Sequence, residues 1–142
     1  MEKKKPTVGA KSILFVCYGN ACRSPMAEGM AKKALGKWIT VESAGLAPSF
    51  DSATFEAVST MKELYGVDIS DHIPKNVVEM PLREYDLIIV LDSYVYNTIK
   101  KLAMDLADRL ILWDIQDPYG SEPDVYRQVA EKIWSEIQEY LL

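Results

Sequence analysis

The sequence is short of cysteine, histidine and long apolar runs, and each shortage removes a class of function. Its 142 residues include two cysteines, Cys17 and Cys22, and one histidine, His72. Two thiols so close together close one disulfide at most, a thin framework for a secreted chain of this length, so a reducing cytoplasm with both thiols free is expected. One histidine, with no pair of ligands at finger-like or helical spacing, assembles no structural zinc site, and no metal or other cofactor is expected. The longest apolar runs, Ile13 to Cys17 and Leu87 to Leu91, are far too short to cross a bilayer. No basic segment followed by an apolar core marks a signal peptide, so neither export nor a membrane partner is expected.

Positive charge is also in deficit, since 16 lysines and arginines face 21 acidic residues for a net charge of -5. Such a surface repels nucleic acid, and a bound anion has to be captured by local geometry. The one basic cluster, Lys3 to Lys5, lies in a stretch of residues 1–10 expected to be a flexible tail. Residues 11–142 are expected to form one domain, and the protein to act as a monomer.

What is present is ordinary for a folded protein: 49% of the residues are apolar and 26% are charged. Strand-like runs at Ser12 to Cys17, Trp38 to Ser43, Asp86 to Leu91 and Arg109 to Trp113 alternate with helical patterns. The first helix opens with Ser24 as cap and Pro25 in its first turn, then carries an apolar stripe ending at Gly36. The others are expected over about Ser52 to Tyr65, Ser93 to Ala107, and a closing stretch through Val125, Val129, Ile133 and Ile137. In that last helix Glu131, Lys132, Glu136 and Glu139 read as a solvated face. The alternation predicts an α/β domain of three layers, with a four-stranded parallel sheet, doubly wound, and helices on both faces. Its ligand site belongs outside the carboxyl ends of the strands, where strand order reverses.

The stretch "VCYGNACRSP" leaves the first strand at that edge. The loop of Tyr18, Gly19, Asn20, Ala21 and Cys22 can curl so that successive backbone N–H groups, backed by a helix dipole, form a nest for a tetrahedral oxyanion. Arg23 adds a guanidinium fork for two anion oxygens. The same field favours Cys17 as a thiolate, placed for in-line attack on a bound phosphate. A leaving oxygen also needs a proton, and "WDIQDPYG" after the fourth strand offers Asp114 and Asp117; position alone does not choose between them. Asp92, at the end of the third strand, reads as a helix-start residue. Tyr18, Phe50 and Tyr119 are candidate walls for an aromatic leaving group, with core packing the alternative for Phe50. Cys22 is either a small buried hydrophobe or a redox partner for Cys17.

Cys17 to Pro25 resembles the active-site loop of the low-molecular-weight protein tyrosine phosphatases, Cys-x-Gly-Asn-x-Cys-Arg-Ser-Pro, and the later Asp117-Pro118-Tyr119 resembles the family's acid loop. The resemblance runs from Ser12 to the carboxyl end. It implies a phosphotyrosine phosphatase, acting on a phosphorylated protein or a small phosphomonoester through a cysteinyl-phosphate, and binding phosphate, vanadate or arsenate. It implies Cys17 as nucleophile, Arg23 as phosphate clamp and Asp117 as acid and then base, leaving Asp114 a structural part. It further implies that Ser24 donates to the Cys17 sulfur, that Asn20 holds the loop with help from Ser43 and His72, and that Cys22 traps oxidised Cys17 as a disulfide. Ala21 matches neither the isoleucine of tyrosine-directed members nor the threonine of phosphoarginine-directed ones, so phosphoarginine stays open. Arsenate reduction of the thioredoxin-linked kind is disfavoured because its relay uses two further cysteines and none follows Cys22. A noncatalytic phosphate-binding module is disfavoured because it needs no acid at Asp117.

Overall fold

A computed structural model describes residues 9–142. Residues 1–8, with the basic cluster, lie outside the described residues. Strand β1 (Ser12–Cys17) is followed by helix α1 (Arg23–Leu35), β2 (Thr40–Gly45), α2 (Phe55–Tyr65), two short 3-10 turns, β3 (Leu87–Val90), α3 (Ser93–Leu102), a 3-10 segment, β4 (Leu110–Leu112) and α4 (Pro123–Tyr140). The four strands are all parallel, in the order β2-β1-β3-β4. The chain thus winds outward from β1 to β2, then crosses to the other side, and strand order reverses at β1. The loop leaving β1 sits at that switch point, where an open α/β sheet binds ligands.

Alternation along β1 divides the core. Ile13, Phe15 and Cys17 pack with α1, α2 and α4, while Leu14 and Val16 join the layer of α3 and the 3-10 segments on the opposite face. Every residue of β3 is buried, because both faces are covered. Helix α2 starts at Phe55 rather than near Ser52, since the Thr54 side chain accepts from the Ala57 N–H; it ends at Gly66, whose φ of 63° is left-handed.

Four further expectations need correction. Strand β2 begins at Thr40, and Trp38, 83% exposed, belongs to the turn before it. Helix α3 stops at Leu102, and the chain continues as a 3-10 segment (Met104–Arg109). Helix α1 starts at Arg23 with Cys22 at the cap position and no side-chain cap, because the Ser24 hydroxyl is turned into the loop. Glu136 is 4% exposed, since its position falls on the buried stripe of α4 with Val129, Ile133 and Tyr140, and Lys132 Nζ reaches its Oε1 at 3.1 Å.

Candidate active site

The loop after β1 closes over its own first residue. The Asn20 N–H donates back to Cys17 Sγ at 3.2 Å, and Ser24 Oγ lies 2.9 Å from the same sulfur. Asn20 takes a left-handed backbone, φ 53°, a conformation that asparagine tolerates better than most residues. Its fully buried side chain is held on every side: Nδ2 donates to Ser24 Oγ at 2.8 Å and Ser43 Oγ at 3.0 Å, and Oδ1 accepts from the Lys75 N–H at 2.9 Å. Because Ser24 Oγ accepts from Asn20, its own proton is left for the cysteine sulfur.

Support continues outward from Asn20. Ser43 donates to Glu28 Oε1 on α1, and His72 Nε2 donates to the Asn20 carbonyl at 2.9 Å, with Nδ1 4.0 Å from Glu28. Burial holds the His72 pKa below its ordinary value, against the opposing pull of the Asn20 carbonyl and Glu28. Gly45, the last residue of β2, lies against the loop so closely that a Cβ there would sit 2.8 Å from Asn20 N and 2.9 Å from Tyr18 O. The backbone needs glycine at this close approach.

Arg23 is 4% exposed and anchored to the ends of two other strands. Its Nη1 donates to the Leu91 carbonyl at 3.3 Å, the Ile115 carbonyl at 3.0 Å and Asp92 Oδ2 at 3.1 Å, while Nη2 lies 3.8 Å from Asp117 Oδ2. Asp92 does start a helix, accepting from the Val95 N–H, and it orients the guanidinium as well. Cys17, Arg23 and Asp117 line one cavity of about 310 Å³, together with Tyr18, Phe50 and Tyr119. Phe50 is 42% exposed and its ring meets Tyr119 at 5.4 Å, so it walls the cavity and is not part of the core. A larger cavity of about 910 Å³ lies between α1 and residues 66–75, behind Glu28 and His72; it touches none of Cys17, Arg23 and Asp117.

Cys22 faces two hydroxyls, Thr54 Oγ1 at 3.5 Å and Tyr126 Oη at 3.4 Å, and both cysteines are free thiols. Burial pushes the Cys22 thiol pKa up, although both hydroxyl contacts oppose the shift. Asp114 is exposed beside the end of β4. Among the described residues no cluster of His, Cys, Asp and Glu is arranged to hold a metal ion, and no helix is long and apolar enough to cross a membrane.

The parts that sequence reasoning missed are Glu28, the Lys75 backbone, Gly45, the Asp92 pairing with Arg23, and the Thr54–Tyr126 contacts of Cys22. Of these only Asp92 carried a signal, being an acid at a strand end on the ligand edge.

Residues 12–142 match the model of the low molecular weight phosphotyrosine protein phosphatase family. The chain belongs to this family. A low molecular weight protein tyrosine phosphatase from T. tengcongensis is 37% identical, with a TM-score of 0.83 over 92% of this chain and 97% of that one. Wzb of Vibrio vulnificus, solved with benzylphosphonate, is 28% identical with a TM-score of 0.83, over 92% and 96%. A protein of Staphylococcus aureus strain N315 named arsenate reductase is 33% identical over 93% of this chain and 97% of its own. Proteins similar to this chain are thus named both tyrosine phosphatase and arsenate reductase.

Proposed function

We propose that this phosphatase-family chain hydrolyses phosphotyrosine, in proteins or small aryl phosphates, through a cysteinyl-phosphate. The reading is carried by one cavity that joins a thiol, a guanidinium and an exposed carboxyl: Cys17 with Ser24 Oγ 2.9 Å from its sulfur, and Arg23 with Nη2 3.8 Å from Asp117. The Cys17 thiolate attacks phosphorus, the S–P bond forms, and the P–O bond breaks as Asp117 gives its proton to the leaving oxygen. Arg23 and the loop N–H groups offset charge on the equatorial oxygens. Water then attacks phosphorus, Asp117 takes its proton, and the S–P bond breaks with the Ser24 hydroxyl stabilising the departing sulfur. Phe50 and Tyr119 receive the aryl ring. Phosphate, vanadate and arsenate bind as competing anions, and the protein acts as a cytoplasmic monomer.

p-Nitrophenyl phosphate tests the reading. The wild type gives a burst of nitrophenol followed by steady turnover; Cys17→Ser abolishes turnover but retains vanadate binding, and Asp117→Asn slows cleavage by roughly 10²- to 10⁴-fold. Substantial activity in Cys17→Ser would refute the assignment.

Relatives named arsenate reductase favour a second reading, arsenate reduction. Both cysteines of this chain sit in the phosphate loop, which leaves no further thiol to carry a relay disulfide outward. Incubation with arsenate, thioredoxin, its reductase and NADPH is therefore expected to consume no NADPH. Paired phosphotyrosine and phosphoarginine peptides decide the remaining substrate question.

A further inference from the structure

A second aromatic pair stands at the mouth of the active site and is not used by the chemistry above. Tyr18, on the phosphate loop, and Tyr94, the second residue of α3, hold their rings 6.4 Å apart and tilted by 50°. Tyr18 is 47% exposed and Tyr94 65% exposed, and neither belongs to either core cluster. Tyr18 lines the catalytic cavity and Tyr94 lies just beyond it.

The two pairs are carried by elements that cover opposite faces of the sheet. Phe50 and Tyr119 belong to the connections leading to α2 and α4, which cover one face of the sheet. Tyr94 belongs to α3, which covers the other. A polypeptide with its phosphorylated side chain in the cavity and its chain running toward α3 would meet Tyr18 and Tyr94 with a neighbouring residue. Exposed tyrosine faces attract cations, most readily the flat, weakly hydrated guanidinium of arginine. The overall charge agrees in sign, at a net -5, although the Asp92 carboxylate two positions before Tyr94 is itself paired with Arg23.

We infer that Tyr18 and Tyr94 form a subsite for a cationic side chain, arginine ahead of lysine, next to the phosphorylated residue of a protein substrate. The inference rests on the phosphatase reading and names the kind of protein that reading leaves open.

The test uses phosphotyrosine peptides that differ only in the flanking residue, arginine, glutamine or phenylalanine, with p-nitrophenyl phosphate run in parallel. The wild type is expected to favour the arginine peptide over the glutamine peptide by roughly two- to five-fold in kcat/KM, mainly through KM, and less at high salt. Tyr94→Ala should erase that ratio and Tyr94→Phe should keep it. An equal rate on all three peptides, a preference for phenylalanine over arginine, or an arginine preference that survives Tyr94→Ala would overturn the subsite. Absence of any Cys17-dependent turnover of p-nitrophenyl phosphate would instead overturn the phosphatase reading.

Discussion

Replacing Gly45 by alanine adds one methyl group where the structure has no room for it. The new Cβ would lie 2.8 Å from Asn20 N, 2.9 Å from Gly19 C and 2.9 Å from Tyr18 O. All three are backbone atoms, so no side chain can swing away, and each is at least about 0.5 Å inside ordinary contact distance. The Gly45 backbone does not have a left-handed φ, so alanine adopts it without strain and the clash is the main cost. Overpacking of this kind costs about 1–3 kcal/mol, partly offset by the ~0.4–1 kcal/mol that a glycine-to-alanine change gains from a less flexible unfolded chain. A melting point lower by several degrees follows. Activity should suffer more than stability, because the atoms pushed aside are the cradle itself, and misplacing reacting groups by about 1 Å costs on the order of 10²-fold. Thermal melts and kcat/KM on p-nitrophenyl phosphate measure the two effects. Gly19→Ala serves as the stability control, since a Cβ there meets nothing within 4 Å. Wild-type kcat/KM in Gly45→Ala would refute the claim that this close approach shapes the loop.

Asp92→Asn keeps the cap on α3 but removes the charge 3.1 Å from Arg23, so kcat/KM should fall roughly ten-fold; Asp92→Ala should add a stability loss of about 1 kcal/mol from the missing cap. Steady-state kinetics and melts on the two variants separate the roles. Because the His72 pKa is lowered in the folded state, the unfolded chain takes up the proton first as pH falls. Stability is then full above the ordinary histidine value near 6.5 and declines as pH drops through the lowered value. His72 is the only histidine, so His72→Asn should flatten the stability profile just below about pH 6.5 in urea melts; an unchanged slope would show that His72 is not its source.

The fold was legible because parallel strands covered on both faces are written as short, uninterrupted apolar runs, as at Ile88 to Val90. The phosphate loop was legible for a related reason: Cys17 to Pro25 are contiguous, so their spacing is itself geometry. Where several elements compete for one side chain, legibility ended. Ser24 looked like a helix cap, yet Cys17 and Asn20 claim its hydroxyl across the loop. Asp114 and Asp117 could not be told apart by position, and the cavity lining includes only Asp117. Glu28 and Tyr126 have no local signal, because their partners Ser43 and Cys22 are brought to them by sheet order and helix packing. Glu136 was read as surface from its charge, although its place on the α4 stripe put it inside.

The anchoring of Arg23 and Asn20 bears on how the protein comes to life. Asn20 is held by residues 52 and 55 positions away, and Arg23 by carbonyls 68 and 92 positions away. The nine-residue loop is local in sequence but much of its support is non-local, and contacts of such separation form late, after the loops between them have closed. A growing chain therefore makes its nucleophile well before its cradle, which does not work until β4 has joined the sheet and the Ile115 carbonyl is in place. Phosphate affinity is in this sense a certificate of completed folding: during refolding it should return with the last long-range contacts, behind the recovery of helix and strand.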